Sequence, residues 1–426
     1  MPTHRRIPHE HRSNFRNLYW DITWFGVSAA SAMAFLSVYA ARLSATELQI
    51  GLISAGPAAV NVLFTLPSGW WIERRPVGSA VFWTSLFHRV FYFLWILVPL
   101  LAAHQVKVLI WLVLAMSVPG TALAVGFNAL FAAAVPPEFR GHVVGVRNGL
   151  FALAFIVVSL LAGRILDTVA FPLSYQIVFA VGAVGAAMSS VHLYRIRIPS
   201  EARPFVPRAS GDLAWPGMVR LVVDGLRPGA AQRVLVRKPA ALIRAELLKG
   251  SYGALMGAVF ALHVALFLAV PLFPIHWVRN LGLSDGQIGL GTATFYVSVL
   301  AGSALLSRLV ARIGNQRLSA VGVLFMSTYP ALMGASSGLE LFLGASALGG
   351  FGWSLVGGAL TNYVLEKVPS DDRPAHLAWY NMAMNAGLLC GSLLGPMIAL
   401  PMGMVPALMV FAVCRLASAA LIWRLR

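Results

Sequence analysis

Residues 108–133 read VLIWLVLAMSVPGTALAVGFNALFAA, twenty-six positions without a charged side chain. A helix crossing the hydrocarbon of a bilayer needs about 20 apolar residues at 1.5 Å rise each, so this stretch spans one. Its internal Pro119-Gly120 does not argue against a helix, because neighbouring helices re-satisfy the freed backbone groups inside a membrane. The same reading extends in both directions. Comparable segments lie near 18–42, 49–72, 79–101, 107–133, 143–166 and 174–195, and again near 250–277, 287–310, 318–336, 341–365, 377–399 and 403–423. This predicts an all-α integral membrane protein of 12 transmembrane helices in two six-helix bundles related by a pseudo-two-fold axis.

Composition agrees. The chain is 58% hydrophobic and 11% charged, against about a quarter charged in a soluble domain. No soluble fold of 426 residues hides that much apolar surface. The net charge of +17 would suggest nucleic acid in a soluble protein, but here placement decides and no nucleic-acid partner is expected. With the N-terminus inside, 26 basic residues fall on inner segments and four, Arg42, Lys107, Arg164 and Arg279, on outer ones. The positive-inside rule then puts both termini in the cytoplasm. The expected organisation is a tail 1–17, a first bundle 18–195, a basic linker 196–249, a second bundle 250–423 and a short tail 424–426. Arg5, Arg6, Arg12 and Arg16 precede an apolar segment with no small-residue cleavage site, so the tail is expected to be retained. In the linker, Arg220, Arg227, Arg233 and Arg237 alternate with residues such as Trp215, Leu221 and Leu226, a pattern suited to lying against anionic headgroups. Arg supplies 28 of the 32 basic residues; with the compact loops this suggests a bacterial inner membrane.

The two halves repeat. Gln49-Ile50-Gly51-Leu52 recurs as Gln287-Ile288-Gly289-Leu290, an offset that also places Arg74 on Arg312. Val135-Pro136, Arg140 and Asn148 recur as Val368-Pro369, Arg373 and Asn381. Two ordered blocks at nearly one offset and at equivalent topological positions point to an internal duplication, as in many transporter folds.

Over nearly its whole length outside tail and linker the chain resembles the major facilitator superfamily, bacterial type. The signature after the second helix reads Gly69-Trp70-Trp71-Ile72-Glu73-Arg74-Arg75, and its partner in the second half keeps Arg312, Gly314 and Arg317 but has Ser307 and Ala311 where the first copy has Gly69 and Glu73. The loops carrying Arg140 and Arg373 look like the family's short Pro-to-Arg connections. The resemblance implies that Gly69, Glu73, Arg74, Arg140, Arg312 and Arg373 form a cytoplasmic gate. Gly69 is expected to let its helix approach a neighbour, with the charges pairing across the halves. Retention of topology by positive charge alone is the competing account of each Arg. Family antiporters usually carry Gly-Pro late in the fifth helix; here none is found there, and Gly395-Pro396 stands in the eleventh.

The resemblance also implies that helices 1, 4, 7 and 10 line a central cavity, and all four carry a polar or aromatic stripe. Asp21, Trp24, Ser28, Ser31, Phe35 and Tyr39 share one face of the first. Ser117, Thr121 and Asn128 mark the fourth, mapping by the repeat onto Gly350, Ser354 and Thr361 of the tenth. Tyr252, Met256, His263 and Phe267 mark the seventh, which ends at Pro271 and Pro274. Aromatic rings with small hydroxyls suit an amphiphilic solute. Intramembrane ionisable groups are rare and functional candidates. Asp21 reads either as a helix-end charge paired with an Arg or as a proton or cation site, and Arg89 as its partner. His263 reads as a helix contact or a relay. Asn61, Asn381 and Asn385 read as interhelical glue.

Cys390 and Cys414 lie in apolar segments without metal-ligand spacing, and no P-loop, H-E-x-x-H or G-x-S-x-G signature is present. The expectation is therefore no enzyme, no cofactor and no metal, but a monomeric secondary transporter of a small amphiphilic solute working by alternating access, with proton-coupled efflux. The alternatives are an uncoupled uptake or facilitated-diffusion carrier and a non-transporting membrane receptor.

Overall fold

The computed structural model describes residues 9–198, 245–369 and 373–425. The expectations for residues 1–8, for 199–244 of the linker and for the Arg373 side chain lie outside the described residues. Helices are α1 His11–Arg42, α2 Glu47–Glu73, α3 Val77–Leu100, α4 Gln105–Ala134, α5 Pro137–Thr168, α6 Leu173–Tyr194 and α7 Ser251–Asn280. A continuous helical stretch, Asp285–Ala335, runs 51 residues, and at 1.5 Å per residue that is twice what a bilayer takes. It breaks at Gly314, whose φ of 78° and ψ of 164° are open to glycine alone. The two arms are α8, 285–313, and α9, 315–335. Then come α10 Leu339–Glu366, α11 Arg373–Met402 and α12 Met404–Arg424. Twelve crossings result among the described residues; the even number brings residues 9 and 425 to one face, called here the terminal face, and the other is the far face.

The repeated Gln-Ile-Gly-Leu block has a structural cause. Thr46 and Ser284 each cap the following helix, accepting from the backbone N–H of Gln49 or Gln287, while that glutamine's side chain accepts the cap's own N–H. These reciprocal bonds satisfy two orphan donors at each helix start. The isoleucines, Ile50 and Ile288, are buried. The glycines sit where the halves cross: a Cβ on Gly51 would lie 2.7 Å from the Ser392 carbonyl of α11, and one on Gly289 2.5 Å from the Ser159 carbonyl of α5. Thus α2 meets α11 and α5 meets α8, at backbone contact that only small residues allow.

The cores follow the same asymmetry. On the far face one apolar cluster joins both halves, with Phe35, Tyr39 and Ile50 packed alongside Leu268, Phe273 and Ile288. Toward the terminal face, among the described residues, one cluster runs from Phe15 to Ile196 and another from Tyr252 to Ile422, each within a single half. Between the levels Tyr296 of α8 stacks on Phe155 of α5, ring centroids 4.0 Å apart. Among the described residues two helices make π-helical turns: α1 over Ala29–Met33, and α7, interrupted at Pro271, over His276–Asn280. Pro119 leaves α4 continuous.

Candidate functional site

The far-face seal is polar as well as apolar. Arg42, ending α1, pairs with the Asp285 carboxylate at 3.0 Å and donates to the Leu283 carbonyl at 2.7 Å. Arg279 donates to the Ala45 carbonyl at 2.5 Å, Ser284 to the Asp167 carboxylate at 2.8 Å, and the Tyr175 hydroxyl to Asp285 at 3.2 Å. Every one of these bonds joins the first half to the second. None of these residues was a candidate from sequence. Asp285 reads there as an ordinary first-turn acid, favourable at any helix N-terminus, and Arg42 and Arg279 as outer charges.

A second polar cluster lies inside the first half. Asp21, 4% exposed, pairs with Arg147 of α5 at 3.1 Å and accepts from Ser189 of α6 at 2.5 Å. Arg89 of α3 donates to Ser189 at 2.7 Å and to Ser190 at 3.1 Å, and contacts Ser85. The expected Asp21–Arg89 pair is therefore corrected: Arg147 is the direct partner, and Arg89 reaches the carboxylate through Ser189. The cause is a helix start. α5 begins at Pro137 rather than near 143, so Arg147 stands about 15 Å into the helix rather than about 6 Å from its start. It also donates to the Leu18 carbonyl at 2.6 Å and covers the Phe127 ring. One carboxylate thus serves two buried guanidiniums.

The rest of the first-helix stripe faces α6. Ser28 packs beside Gly185, whose Cβ would meet its backbone nitrogen at 2.9 Å. Tyr39 is fully buried against Tyr175 and Phe179, and its hydroxyl donates to Gln105 at 2.8 Å. Trp24 is half-buried. Thr121 donates to Asn61 at 2.6 Å, linking α4 to α2. Asn128 and Thr361 are exposed; Ser354 is buried and donates to the Phe351 carbonyl at 2.7 Å. His263 bonds the Val259 carbonyl of its own helix at 2.8 Å, and Gly387 of α11 crosses at its Cβ. Glycines 349, 350 and 352 of α10 sit at crossings with Tyr329, Phe295 and Gly322.

On the terminal face Glu73, Arg74 and Arg312 are exposed. Arg140, in the first turn of α5, caps the end of the preceding α4, donating to the Ala132 carbonyl at 2.7 Å and the Val135 carbonyl at 3.1 Å. A Cβ on Gly69 would meet open space, so the close approach expected there is absent in this arrangement, in which the terminal-face cores are separate. Among the described residues no cluster of His, Cys, Asp or Glu could hold a metal.

Two repeat-related helical bundles, sealed together across one face and carrying separate cores at the other, define a polytopic membrane transporter fold. The chain belongs to the Major Facilitator Superfamily, which matches residues 22–263 and 255–426. It is similar to the Quinolone resistance protein NorA of Staphylococcus aureus (strain MRSA252), 20% identical over 141 residues, 33% of this chain and 36% of NorA. The chain thus aligns with about a third of that relative's length. Its fold resembles a POT family transporter in complex with a thioalcohol-conjugated peptide, TM-score 0.70 at 11% identity over 96% of this chain and 95% of that one. It also resembles a bacterial homologue of the human lysosomal transporter Spinster in an inward-facing, unoccupied conformation, TM-score 0.66 at 12% identity over 98% and 97%. The nucleoside transporter NupG is a third neighbour, TM-score 0.65 at 12% identity over 96% and 98%.

Proposed function

We propose that this protein is a monomeric secondary transporter that carries a small, amphiphilic organic solute by alternating access, with both termini on the cytoplasmic side of a bacterial plasma membrane. The observation that carries the reading is the asymmetry of the two faces: interhalf bonds and close glycine crossings on one, separate cores on the other. Such a seal is made of contacts that part as a set when the halves rock. Asn128, Thr361 and Asn381 are exposed within spanning helices; facing hydrocarbon they would be costly, and a water-filled cleft between the halves removes that cost. Glu73, Arg74, Arg140, Arg312 and Arg373 are then the groups that clasp the terminal face in the opposite state. The excess of basic residues on terminal-face segments supports the orientation, and likeness to a quinolone resistance protein supports outward movement of solute.

Coupling to protons is a second reading favoured by a different observation. Asp167 and Asp285 both belong to the far-face seal, so each opening of that face brings two carboxylates to the outside medium.

Alternation is tested with Cys390 and Cys414 replaced by serine and Tyr296→Cys introduced as the only thiol, in oriented proteoliposomes. A membrane-impermeant maleimide is expected to label it from the terminal face and, more slowly, from the far face, with a driven flux of a quinolone such as norfloxacin in the same vesicles. Labelling confined to one face under every condition would sink the transport reading.

A further inference from the structure

A cavity of about 250 Å³ lies inside the second half, walled by α7, α8, α9, α10 and α12. Seven of its fifteen lining residues are aromatic, among them Phe273, Trp277, Tyr329, Phe342 and Trp353, and the single charged one is Arg415. An engineered apolar cavity of about 150 Å³ accepts benzene, so this volume suits a two-ring aromatic system. Trp353, 44% exposed, is where the wall reaches the molecular surface.

Arg415 is 3% exposed. It stands roughly 16 Å from the start of α12 and 14 Å from its end, too far to reach either membrane surface. Among the described residues its hydrogen bonds go to backbone carbonyls alone: Leu266 at 2.7 Å, Met326 at 2.8 Å and Ala265 at 3.3 Å. The Met326 carbonyl is available because Pro330, four residues on, has no N–H to give it. Dipoles of this kind hold a guanidinium in place without cancelling its charge, and no carboxylate lines the cavity. Two of the five guanidinium N–H groups are left after those three bonds. A further donor lies in the same wall: the Trp277 indole N–H is buried and has no acceptor among the described residues.

Surplus donors, an uncancelled positive charge and flat apolar walls together specify the complement. We propose that this cavity is a binding site for an aromatic anion, a fused or paired ring system carrying one carboxylate-like group, with Arg415 as its counter-charge and the rings stacked among Phe273, Tyr329 and Phe342. The polar stripe of the first helix and the interhalf hydrogen bonds of the far face take no part; Phe273 and Phe342 belong both to this wall and to the far-face apolar cluster. The site requires binding only and stands even where no solute crosses the membrane.

The test measures quenching of tryptophan fluorescence in the full chain in nanodiscs, titrated with 2-naphthoate, its uncharged isostere 2-naphthamide and the cation 2-naphthylmethylammonium. Naphthoate is expected to bind at least tenfold more tightly than the amide, with the cation weakest. Arg415→Gln, which keeps N–H groups for the Met326 carbonyl, is expected to erase the preference, and Arg415→Lys to keep it. Thr292→Trp, which fills the cavity with Arg415 intact, is expected to abolish naphthoate quenching while melting like the parent, and serves alone if the glutamine variant does not fold. Equal affinity for acid and amide in the parent, or an acid preference that survives both Arg415→Gln and the filled cavity, overturns the proposal. Naphthoate binding without flux of any solute would leave this site standing and defeat the transport reading instead.

Discussion

Arg42 and Asp285, 243 positions apart, meet at 3.0 Å and tie the end of the first helix of one half to the start of the second helix of the other. Their side chains are 32% and 10% exposed, so the pair is neither a solvated surface bridge nor a buried one. Arg42→Met leaves Asp285 against Tyr175 and near Asp167 without its cation. After allowance for solvent screening the seal is expected to lose about 1–2 kcal/mol, a five- to thirtyfold shift toward the state open at the far face. Spin labels at positions 44 and 282 read this as growth of a longer-distance population; an unchanged distance distribution would show that the pair does not hold the seal.

The repeat-related glycines make the same prediction by a route without charge. Gly51→Ala and Gly289→Ala each push a methyl group toward a carbonyl of the opposite half, at 2.7 and 2.5 Å in the present arrangement. Overpacking of this kind costs about 1–3 kcal/mol and falls on the closed far face only, because separated halves have no such carbonyl to meet. Both variants are expected to label faster from the far face and to fold normally. A fall in melting temperature with no change in labelling would mean that these glycines serve packing rather than gating.

Much of this architecture is legible in residues. The duplicated block marks the helix starts and the interhalf glycines because capping and close crossing both demand particular residue types at fixed spacing. All twelve spans follow from apolar length, each end placed to within about ten residues. Side-chain partners are another matter. Asp21 stands out as an intramembrane carboxylate, but its pairing with Arg147 depends on where α5 begins: residues 137–142, too polar to read as part of the span, are helical and set Arg147 deeper in the helix. The seal is hidden differently: Arg42, Asp167 and Asp285 sit at helix ends, where charge is ordinary, and only the approach of two halves distant in sequence gives them partners. The second-half cavity has no local signature, since its walls come from five helices.

At Gly314 the backbone has φ 78° and ψ 164°, and a Cβ would meet no neighbouring atom. Any loss in Gly314→Ala is therefore a backbone loss, of about 1–3 kcal/mol for a region that side-chain-bearing residues do not enter. Gly257 in α7 has equally open surroundings within a regular helix, and Gly257→Ala is expected to be neutral or to stabilise by about 1 kcal/mol. Thermal unfolding in detergent separates the two. Equal melting temperatures would mean that α8 and α9 do not turn at this residue.

Asp21 decides whether the first-half cluster is a fixed strut or a moving part. Arg147 and Arg89 are 8% and 4% exposed and share this one carboxylate. Asp21→Asn keeps the shape and an acceptor for Ser189 but leaves two buried guanidiniums without a counter-charge. Loss of one partner from a buried pair costs about 3–5 kcal/mol, so the variant is expected to melt well below the parent. The double variant Asp21→Asn with Arg147→Met removes one stranded cation and is expected to recover part of that loss, the coupling that a double-mutant cycle measures. Solute flux in whatever folded protein remains distinguishes the roles. A strut leaves flux per folded molecule unchanged and its dependence on a pH gradient intact, whereas a residue that takes up and releases protons abolishes that dependence when it becomes an amide. An Asp21→Asn protein that melts like the parent yet no longer responds to the gradient would overturn the structural assignment.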